Sequence, residues 1–322
     1  MADYWSQSQH DYTDVEKNFY CFPPMRSRHC RLIFGEADAS RPDWCEYWTV
    51  EKILKPYLPF QKCLSICCGF GEIERRLARM KVAARIVGTD IAPGAVAEAE
   101  KRGLAEGFTN LEYFVADLNQ TSLPLEEYDL IWANGALHHI EHLERVIPML
   151  WGALKPGGIL ISNEYVGPNY YQAGPRQQEI INAVRHLIPD DLRSVKASSE
   201  TPPWTNRTLQ RLGILPEAEA DTMVYGKIWE MRTKEEWINS DPSEGVNASQ
   251  IIPVLRRTFA EMDVRHFNGS ILMHALDHQF YNTFDNSNPR HQKLLEMLVQ
   301  IEASLIAAGE LQSDNAHLIC RK

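Results

Sequence analysis

Residues 63–75 read CLSICCGFGEIER. An apolar run meets two adjacent cysteines, then two glycines one residue apart, then acidic residues. A zinc site wants cysteines spaced by two to four residues, with further ligands grouped elsewhere. A redox dithiol wants CxxC. Cys67 and Cys68 have neither spacing. They read as small apolar residues at a strand end, and no metal is expected. Gly69 and Gly71 read as backbone that a ligand must approach closely. The stretch is then a strand, a ligand-binding turn and the start of a helix, EIERRLARMK.

The flanks repeat this unit. ARIVGTD is a short apolar run ending in an acid, and PGAVAEAEKRGLAEG is a helix opened by Pro93 and closed near Gly103 or Gly107. LEYFVAD is another strand ending in an acid, YDLIWAN a fourth, LERVIPMLWGAL a helix stopped by KPGG, and ILISNEYV a fifth strand. Strand and helix therefore alternate over residues 60–166, at the spacing of βαβ units and a parallel sheet. Upstream, a helix is predicted from Asp43 to Leu58, with Trp44, Tyr47, Trp48 and Leu54 on its apolar side. Residues 1–41 are rich in aromatics, Pro and Arg without clear periodicity.

Downstream of residue 166 the pattern breaks into a helix (QQEIINAVRHLI), a Pro-rich loop (SSETPPWTNR) and irregular polar sequence. It returns with a helix, SQIIPVLRRTFAEM, a strand, DVRHFN, helices near 271–284 and 289–308, and a last strand, NAHLICRK. The organisation expected is an N-terminal arm and helix (1–59), a cofactor-binding core (60–166), an insertion (167–248), and the rest of the core (249–322) with a second insertion at about 270–313. Both insertions leave from the C-terminal ends of strands, where ligands bind in open α/β folds. They are expected to cap one crevice.

Composition narrows the class. The chain has 322 residues, 44% of them hydrophobic, and a net charge of −10 with scattered basic residues. A packed core is expected, a nucleic-acid surface is not, and no run approaches the ~18 apolar residues of a membrane span. The polar, acidic N-terminus is unlike a signal peptide, and seven irregularly spaced cysteines suit reduced thiols in a cytoplasmic protein.

Which ligand does the turn take? The dinucleotide fingerprint GxGxxG has Glu74 at its third glycine position here. A carboxylate there suits a pyrophosphate poorly. Asp90 ends the second strand, where a carboxylate can accept both hydroxyls of a ribose, and Asp117 ends the third, where one can accept an adenine amino group. Strand-end Asp is also a common helix cap, but three such features at successive strand ends suit a nucleoside without phosphates.

Here the chain resembles the class I S-adenosylmethionine-dependent methyltransferases, from about Cys63 to Val166 and more faintly over 249–267 and 315–322. CLSICCGFG resembles their glycine motif, VGTDIAP the ribose-binding motif and VADLNQ the adenine-binding one. YDLIWANGALHHI and LKPGGILISNEYVGPN resemble the fourth and fifth strand motifs. LSICCGFGEIER, NEYVGPN and DPSEGVNASQI further resemble a bacterial group with long insertions. The resemblance implies a Rossmann-like α/β sheet, mostly parallel, of seven strands with an antiparallel last strand, plus helical cap insertions. It implies S-adenosyl-L-methionine as cofactor and S-adenosyl-L-homocysteine as product. Cys68, Gly69, Phe70 and Gly71 would border the methionine part, Asp90 would hold the ribose, Ile91 would pack on adenine, and Asp117 and Leu118 would contact its edge. Asn134 would lie under the methionine amino end. The family usually has an acid where Ser65 stands and glycine where Cys67 stands; Glu74 is placed to substitute in part for that acid.

A hydroxyl acceptor must lose a proton, whereas a neutral amine need not. In class members that methylate sugar hydroxyls, a His of LHH and an acid at the fifth strand end form the base pair. The matching residues are His138 and Glu164, with His139 beside them. The alternative is that LHH merely opens a helix. HALDH places His274, His278 and Asp277 on one predicted helical face, to line the cap or to pack. Tyr165, Tyr170 and Trp204 are further candidates to touch the acceptor, and Arg176, Gln177 and Gln178 either face it or meet solvent. The N-terminal aromatics, Tyr4, Trp5, Tyr12, Phe19, Tyr20 and Phe22, either close as a lid or pack on a sheet flank or second subunit. The expected partner is a small molecule, a sugar or natural-product-like metabolite methylated at oxygen or nitrogen, with no nucleic acid or membrane and with room for a homodimer. Two other readings are an inactive scaffold of the same fold and a nicotinamide-dependent oxidoreductase.

Overall fold

The computed structural model describes residues 18–35, 44–193 and 228–322. Tyr4, Trp5, Tyr12 and Trp204 lie outside the described residues. Seven strands form one sheet: β1 (Phe60–Ile66), β2 (Ala83–Asp90), β3 (Leu111–Val115), β4 (Tyr128–Asn134), β5 (Leu154–Tyr165), β6 (Glu261–His266) and β7 (Asn315–Arg321), in the order β3-β2-β1-β4-β5-β7-β6. β1 pairs in parallel with β2 and β4, β2 with β3, and β4 with β5. β7 is antiparallel to both its neighbours. Chain direction therefore brings the C-terminal ends of β1 to β6 to one edge.

The interior strands are buried on both faces, which is why they read as nearly continuous apolar runs. On one face, Cys63, Leu130, Trp132 and Ile161 pack with Leu77 of helix α3 (Glu72–Arg79). On the other, Leu64, Ile66 and Ile131 meet Val146 and Leu150 of α5 (Leu143–Ala153) and Val254 of α8 (Ile251–Thr258). Between them in sequence lies α4 (Pro93–Ala105), with Pro93 in its first turn as expected.

A third apolar cluster stands apart from the sheet. It joins Phe19, Phe22 and Met25 of the N-terminal segment to Ile181 and Val184 of α6 (Pro175–Leu187) and to Leu272, Phe280 and Leu298. The N-terminal segment is thus packed against both insertions. Its helix α1 (Pro23–Phe34) starts on prolines and stops at Gly35, which is left-handed. Polar ties run through the same layer. Arg185 reaches the Ala275 carbonyl at 3.1 Å and Asp277 at 3.0 Å, and Gln177 reaches the Ser270 carbonyl and Asp314, both at 2.8 Å. Gln177 is therefore buried structure, not a substrate-facing group.

Some predicted elements are broken. The helix expected over 43–58 is α2 (Cys45–Thr49), then a π turn (Val50–Leu54) and a 3-10 turn (Lys55–Tyr57). The helix expected over 271–284 is split into α9 (Leu272–Ala275) and α10 (His278–Thr283). Asp277 causes the split: its carboxylate accepts from the Phe280 N–H, as an N-cap does. His274 and His278 consequently do not share a helical face, and His278 is exposed at the start of α10. The last helices, α7 (Lys234–Ser240) and α11 (Pro289–Ala307), belong to the first and second insertions.

Close approach of β2 to β3 depends on one glycine. A Cβ at Gly88 would lie 2.6 Å from Tyr113 Cδ1 and 3.2 Å from Cys68 Cβ. Gly88→Ala should therefore destabilise the fold by about 1–3 kcal/mol, the usual penalty for overpacking. Urea unfolding would show this as a lower midpoint at unchanged slope. Gly174→Ala, which meets nothing within 4 Å, is the control and should move the midpoint little.

Candidate active site

The turn after β1 is held by backbone and by Asp90. Cys68 N–H donates to the Thr89 carbonyl at 2.9 Å and Gly71 N–H to the Cys68 carbonyl at 2.9 Å. Asp90 Oδ2 accepts from Gly69 N–H at 2.9 Å and Oδ1 from Ala92 N–H at 2.9 Å. Cys67, Gly69 and Gly71 have φ of 50°, 51° and 73°, so the chain turns through the left-handed region three times. Arg75, buried in α3, donates to the Phe70 carbonyl at 2.7 Å. Gly71 has a packing reason as well: a Cβ there would lie 2.7 Å from Tyr113 Oη and 2.9 Å from Ala99 Cβ. Burial pushes the Cys67 and Cys68 thiols well up, so both stay protonated at neutral pH and resist metal or redox chemistry.

This turn borders a cavity of about 1100 Å³. Cys68, Gly69 and Phe70 form its wall, with Asp90 and Ile91 from the end of β2. Asp117, Leu118 and Asn134 continue it at the next strand ends. Asp117 also organises its own turn, accepting from Asn119 N–H at 2.9 Å and Gln120 Nε2 at 2.7 Å. The opposite wall comes from the N-terminal segment, with Tyr20, Cys21, Arg26, His29 and Cys30. Trp44, Glu46 and Arg76 close one end, Arg76 lying 3.5 Å from Glu46 and over the Trp44 ring. Sequence reasoning missed the contribution of α1, although Pro–Pro before it and Gly35 after it were the start and stop signals.

At the other end stand the histidines, on a 3-10 turn (Leu137–His139) after β4. Glu164, fully buried at the end of β5, organises that turn. Its Oε1 accepts from Ala136 N–H at 2.9 Å, Leu137 N–H at 2.8 Å and Ser162 Oγ at 3.1 Å. Its Oε2 lies 2.8 Å from His138 Nδ1. Burial pulls the His138 pKa down, but the Glu164 hydrogen bond and charge, with Glu244 and Asp241, outweigh it and leave it raised. His139 is pushed down to about 4 by burial and by the neighbouring His138. His139 lies on the cavity wall; His138 is not among the wall residues.

A carboxylate that the sequence reading passed over completes this group. Glu244 lies 3.6 Å from His138 Nε2 and 3.8 Å from His139 Nε2. It accepts from Tyr171 Oη at 2.5 Å. Its signal was the DPSEG segment, whose Asp241 and Ser243 also join the site: Ser243 Oγ is 3.1 Å from His139 Nδ1 and donates to Asp241 Oδ1 at 2.6 Å. Tyr170 and Tyr171 have φ of 53° and 55°, and the bend delivers Tyr171 to Glu244. Tyr165 stacks on Tyr171 at 4.2 Å and donates to the Pro168 carbonyl. Tyr170 itself sits under Lys234, and His274 packs on Trp229. Gly71, Glu164, Tyr165, Tyr170, His274 and His278 are likewise absent from the cavity wall.

Glu74 sits apart from these satisfied carboxylates. It is fully buried in the first turn of α3, and neither oxygen has a hydrogen-bond partner. Burial raises its pKa from 4.5 to about 7, against a partial pull from Ser65 and Arg75. The folded state therefore holds this proton more tightly than the unfolded chain. That stability is present below pH 4.5 and is lost as pH rises through about 7. Glu74→Gln should leave stability at pH 4.5 nearly unchanged and gain about 3 kcal/mol over the parent by pH 8. Denaturant unfolding at both pH values measures this, and parallel profiles for the two proteins would refute the assignment.

Residues 63–158 match the family model described as a methyltransferase domain. The trans-aconitate 2-methyltransferase of Deinococcus radiodurans is 30% identical over 107 residues, covering 33% of this chain and 39% of that protein. The sterol 24-C-methyltransferase of Yarrowia lipolytica is 28% identical over 183 residues, 56% of this chain and 47% of that one. The match thus spans less than half the length of either relative. Among solved structures, phosphoethanolamine N-methyltransferase 2 of Haemonchus contortus shares 17% identity at a TM-score of 0.49, covering 99% of this chain and 59% of that chain. Over residues 63–158, which help to build the seven-stranded sheet, the chain is thus similar to a methyltransferase domain.

Proposed function

We propose that this chain transfers the methyl group of S-adenosyl-L-methionine to an oxygen or nitrogen of a small molecule enclosed with it. The observation that carries this is the cavity. Its volume of about 1100 Å³ exceeds the usual ~300–1,000 Å³ of a pocket for one drug-sized ligand. One wall is made of successive strand ends and the facing wall of the N-terminal segment. A roofed space of that size suits a nucleoside cofactor plus a compact acceptor. The relatives named for trans-aconitate and sterol methylation support a small-molecule acceptor, and their different chemistries leave its identity open.

In this reading the Asp90 carboxylate, whose spare lone pairs remain after two backbone N–H groups, accepts the ribose hydroxyls. Ile91, Asp117 and Leu118 hold the adenine. The turn Cys68–Gly69–Phe70, with Gly71 behind it, borders the methionine part, and Asn134 and Glu74 face its amino group. The cofactor brings an activated methyl, so the chain's task is to align the acceptor behind the carbon–sulfur bond. The group around His138, His139 and Glu164 deals with the acceptor's proton. Tyr165, Tyr170 and His274 form the surrounding shell on the cap side. A fully buried Glu74 beneath the glycine turn disfavours a dinucleotide diphosphate there. Seven free cysteines suit a reducing, cytoplasmic setting, and among the described residues no helix is long and apolar enough to cross a membrane.

Calorimetry with S-adenosylhomocysteine tests the cofactor half. The parent should bind, and Asp90→Ala, checked for retained folding, should weaken binding at least about tenfold, a loss of about 1.4 kcal/mol. His139→Ala should bind normally yet lose about 10²–10⁴-fold in turnover on a hydroxyl acceptor found by screening for homocysteine-product release. A parent protein that binds neither the cofactor nor its demethylated product would overturn the proposal.

A further inference from the structure

The histidine end of the cavity has too many acceptors facing one another. Glu164 already takes three donors on Oε1, and its Oε2 lies against His138 Nδ1. As a carboxylate it can only accept, so Nδ1 carries the hydrogen and the neutral ring presents a lone pair at Nε2. The same logic fixes His139. Ser243 gives its hydrogen to Asp241, so Ser243 Oγ can only accept from His139 Nδ1. The second ring then also presents a lone pair at Nε2. Both lone pairs are turned toward Glu244, at 3.6 and 3.8 Å. A divalent cation set among the two imidazoles and the carboxylate would be held by all three at once.

We propose that His138 Nε2, His139 Nε2 and a Glu244 oxygen bind a divalent first-row transition ion, zinc by donor type. The three donor atoms all lie within 4.8 Å of one another. Donors at about 2.0–2.1 Å from a tetrahedral ion stand roughly 3.3 Å apart; the two Glu244 oxygens already stand 3.6 and 3.8 Å from the two rings, and the widest donor pair must draw in by at most about 1.5 Å. Imidazole nitrogens with one carboxylate exclude magnesium and calcium as the preferred ions. The outer partners are those of a metal site. Each ligating ring is held through its other nitrogen, His138 by Glu164 and His139 by Ser243 with Asp241 behind it, and Tyr171 anchors Glu244. With His139 and Ser243 on the cavity wall, the remaining position opens toward the acceptor.

The location rests on the methyl-transfer reading; the ion adds how the proton leaves. An acceptor hydroxyl bound to the ion is acidified and releases its proton to water. Its oxygen pair then forms the O–CH₃ bond as the S–CH₃ bond breaks, and the sulfonium electron pair returns to sulfur. The products are the methyl ether, neutral S-adenosylhomocysteine and one proton.

The test uses the full chain stripped with a chelator and titrated with zinc, and in parallel with cobalt for its visible d–d bands. One equivalent should bind per chain, and the cobalt form should show a four- or five-coordinate spectrum. Glu244→Gln, which keeps an acceptor for Tyr171, and His139→Ala should each weaken zinc binding at least about hundredfold, since outer-shell changes alone cost 10–100-fold. Ser243→Ala should weaken it about tenfold. Absence of stoichiometric uptake, or uptake unchanged in Glu244→Gln and His139→Ala, overturns the proposal and leaves a shared proton as the positive charge. S-adenosylhomocysteine calorimetry on the same stripped protein separates the two readings: binding without metal uptake sinks only the ion.

Discussion

Asp90 fastens two turns with one carboxylate. By accepting from Gly69 N–H and Ala92 N–H, it ties the loop after β1 to the start of α4, across the gap between neighbouring parallel strands. The loop needs this tie because three of its residues sit at positive φ and one of them, Cys67, has a side chain that disfavours it. Removing the carboxylate leaves two backbone donors at the cavity wall with nothing to replace it. The strand-end carboxylate on the cavity wall is therefore also the group that shapes the turn, and wall and architecture cannot be separated at this residue.

Buried carboxylates elsewhere show what backbone donors do for at least one oxygen. Glu164 accepts from Ala136, Leu137 and Ser162 and fixes the histidine turn. Glu302, fully buried in the second insertion, accepts from Ile271 N–H at 2.8 Å and Leu272 N–H at 3.0 Å and so starts α9. Both use backbone donors at helix or turn starts, where such donors are spare. Glu74 occupies the first turn of α3 on the cavity wall, fully buried, and keeps neither oxygen paired. Local sequence gives these three residues no distinguishing mark; only the packing separates them.

What the sequence made legible followed from period and punctuation. β2 and β4 announced themselves as apolar runs ending in Asp90 and Asn134, because a strand covered on both faces has no polar alternation; β3, before Asp117, is a partly exposed edge strand with the same kind of run. Those strand ends are the residues found on one cavity wall. Legibility failed where a long-range partner decides the matter. HALDH carries helical spacing, yet Asp277 caps the following turn and breaks it. Gly71 suggested ligand approach, while its neighbours are Tyr113 and Ala99. Gln177 looked like a helix-start polar residue and is instead clamped to Ser270 and Asp314. Tyr171 and Glu244 meet across 73 positions of chain, a separation no local pattern encodes.

That separation explains how the site is divided. The strand-end wall is built from a continuous βαβ stretch, so the same short segments that form the sheet also form the wall. The far end is different: the histidines come from the turn after β4, Glu164 from β5, and Glu244, Ser243 and Tyr171 from the insertion between β5 and α8. The carboxylate between the two imidazoles is thus supplied by the part of the chain outside the matched methyltransferase domain. The insertion is anchored in turn by Arg185 and Gln177 to the second insertion and to the start of β7, and by the apolar cluster to the N-terminal segment that roofs the cavity. The charged group at the histidines therefore depends on the cap being in place. A sheet that could hold the cofactor without it would still lack the third member of the charged group.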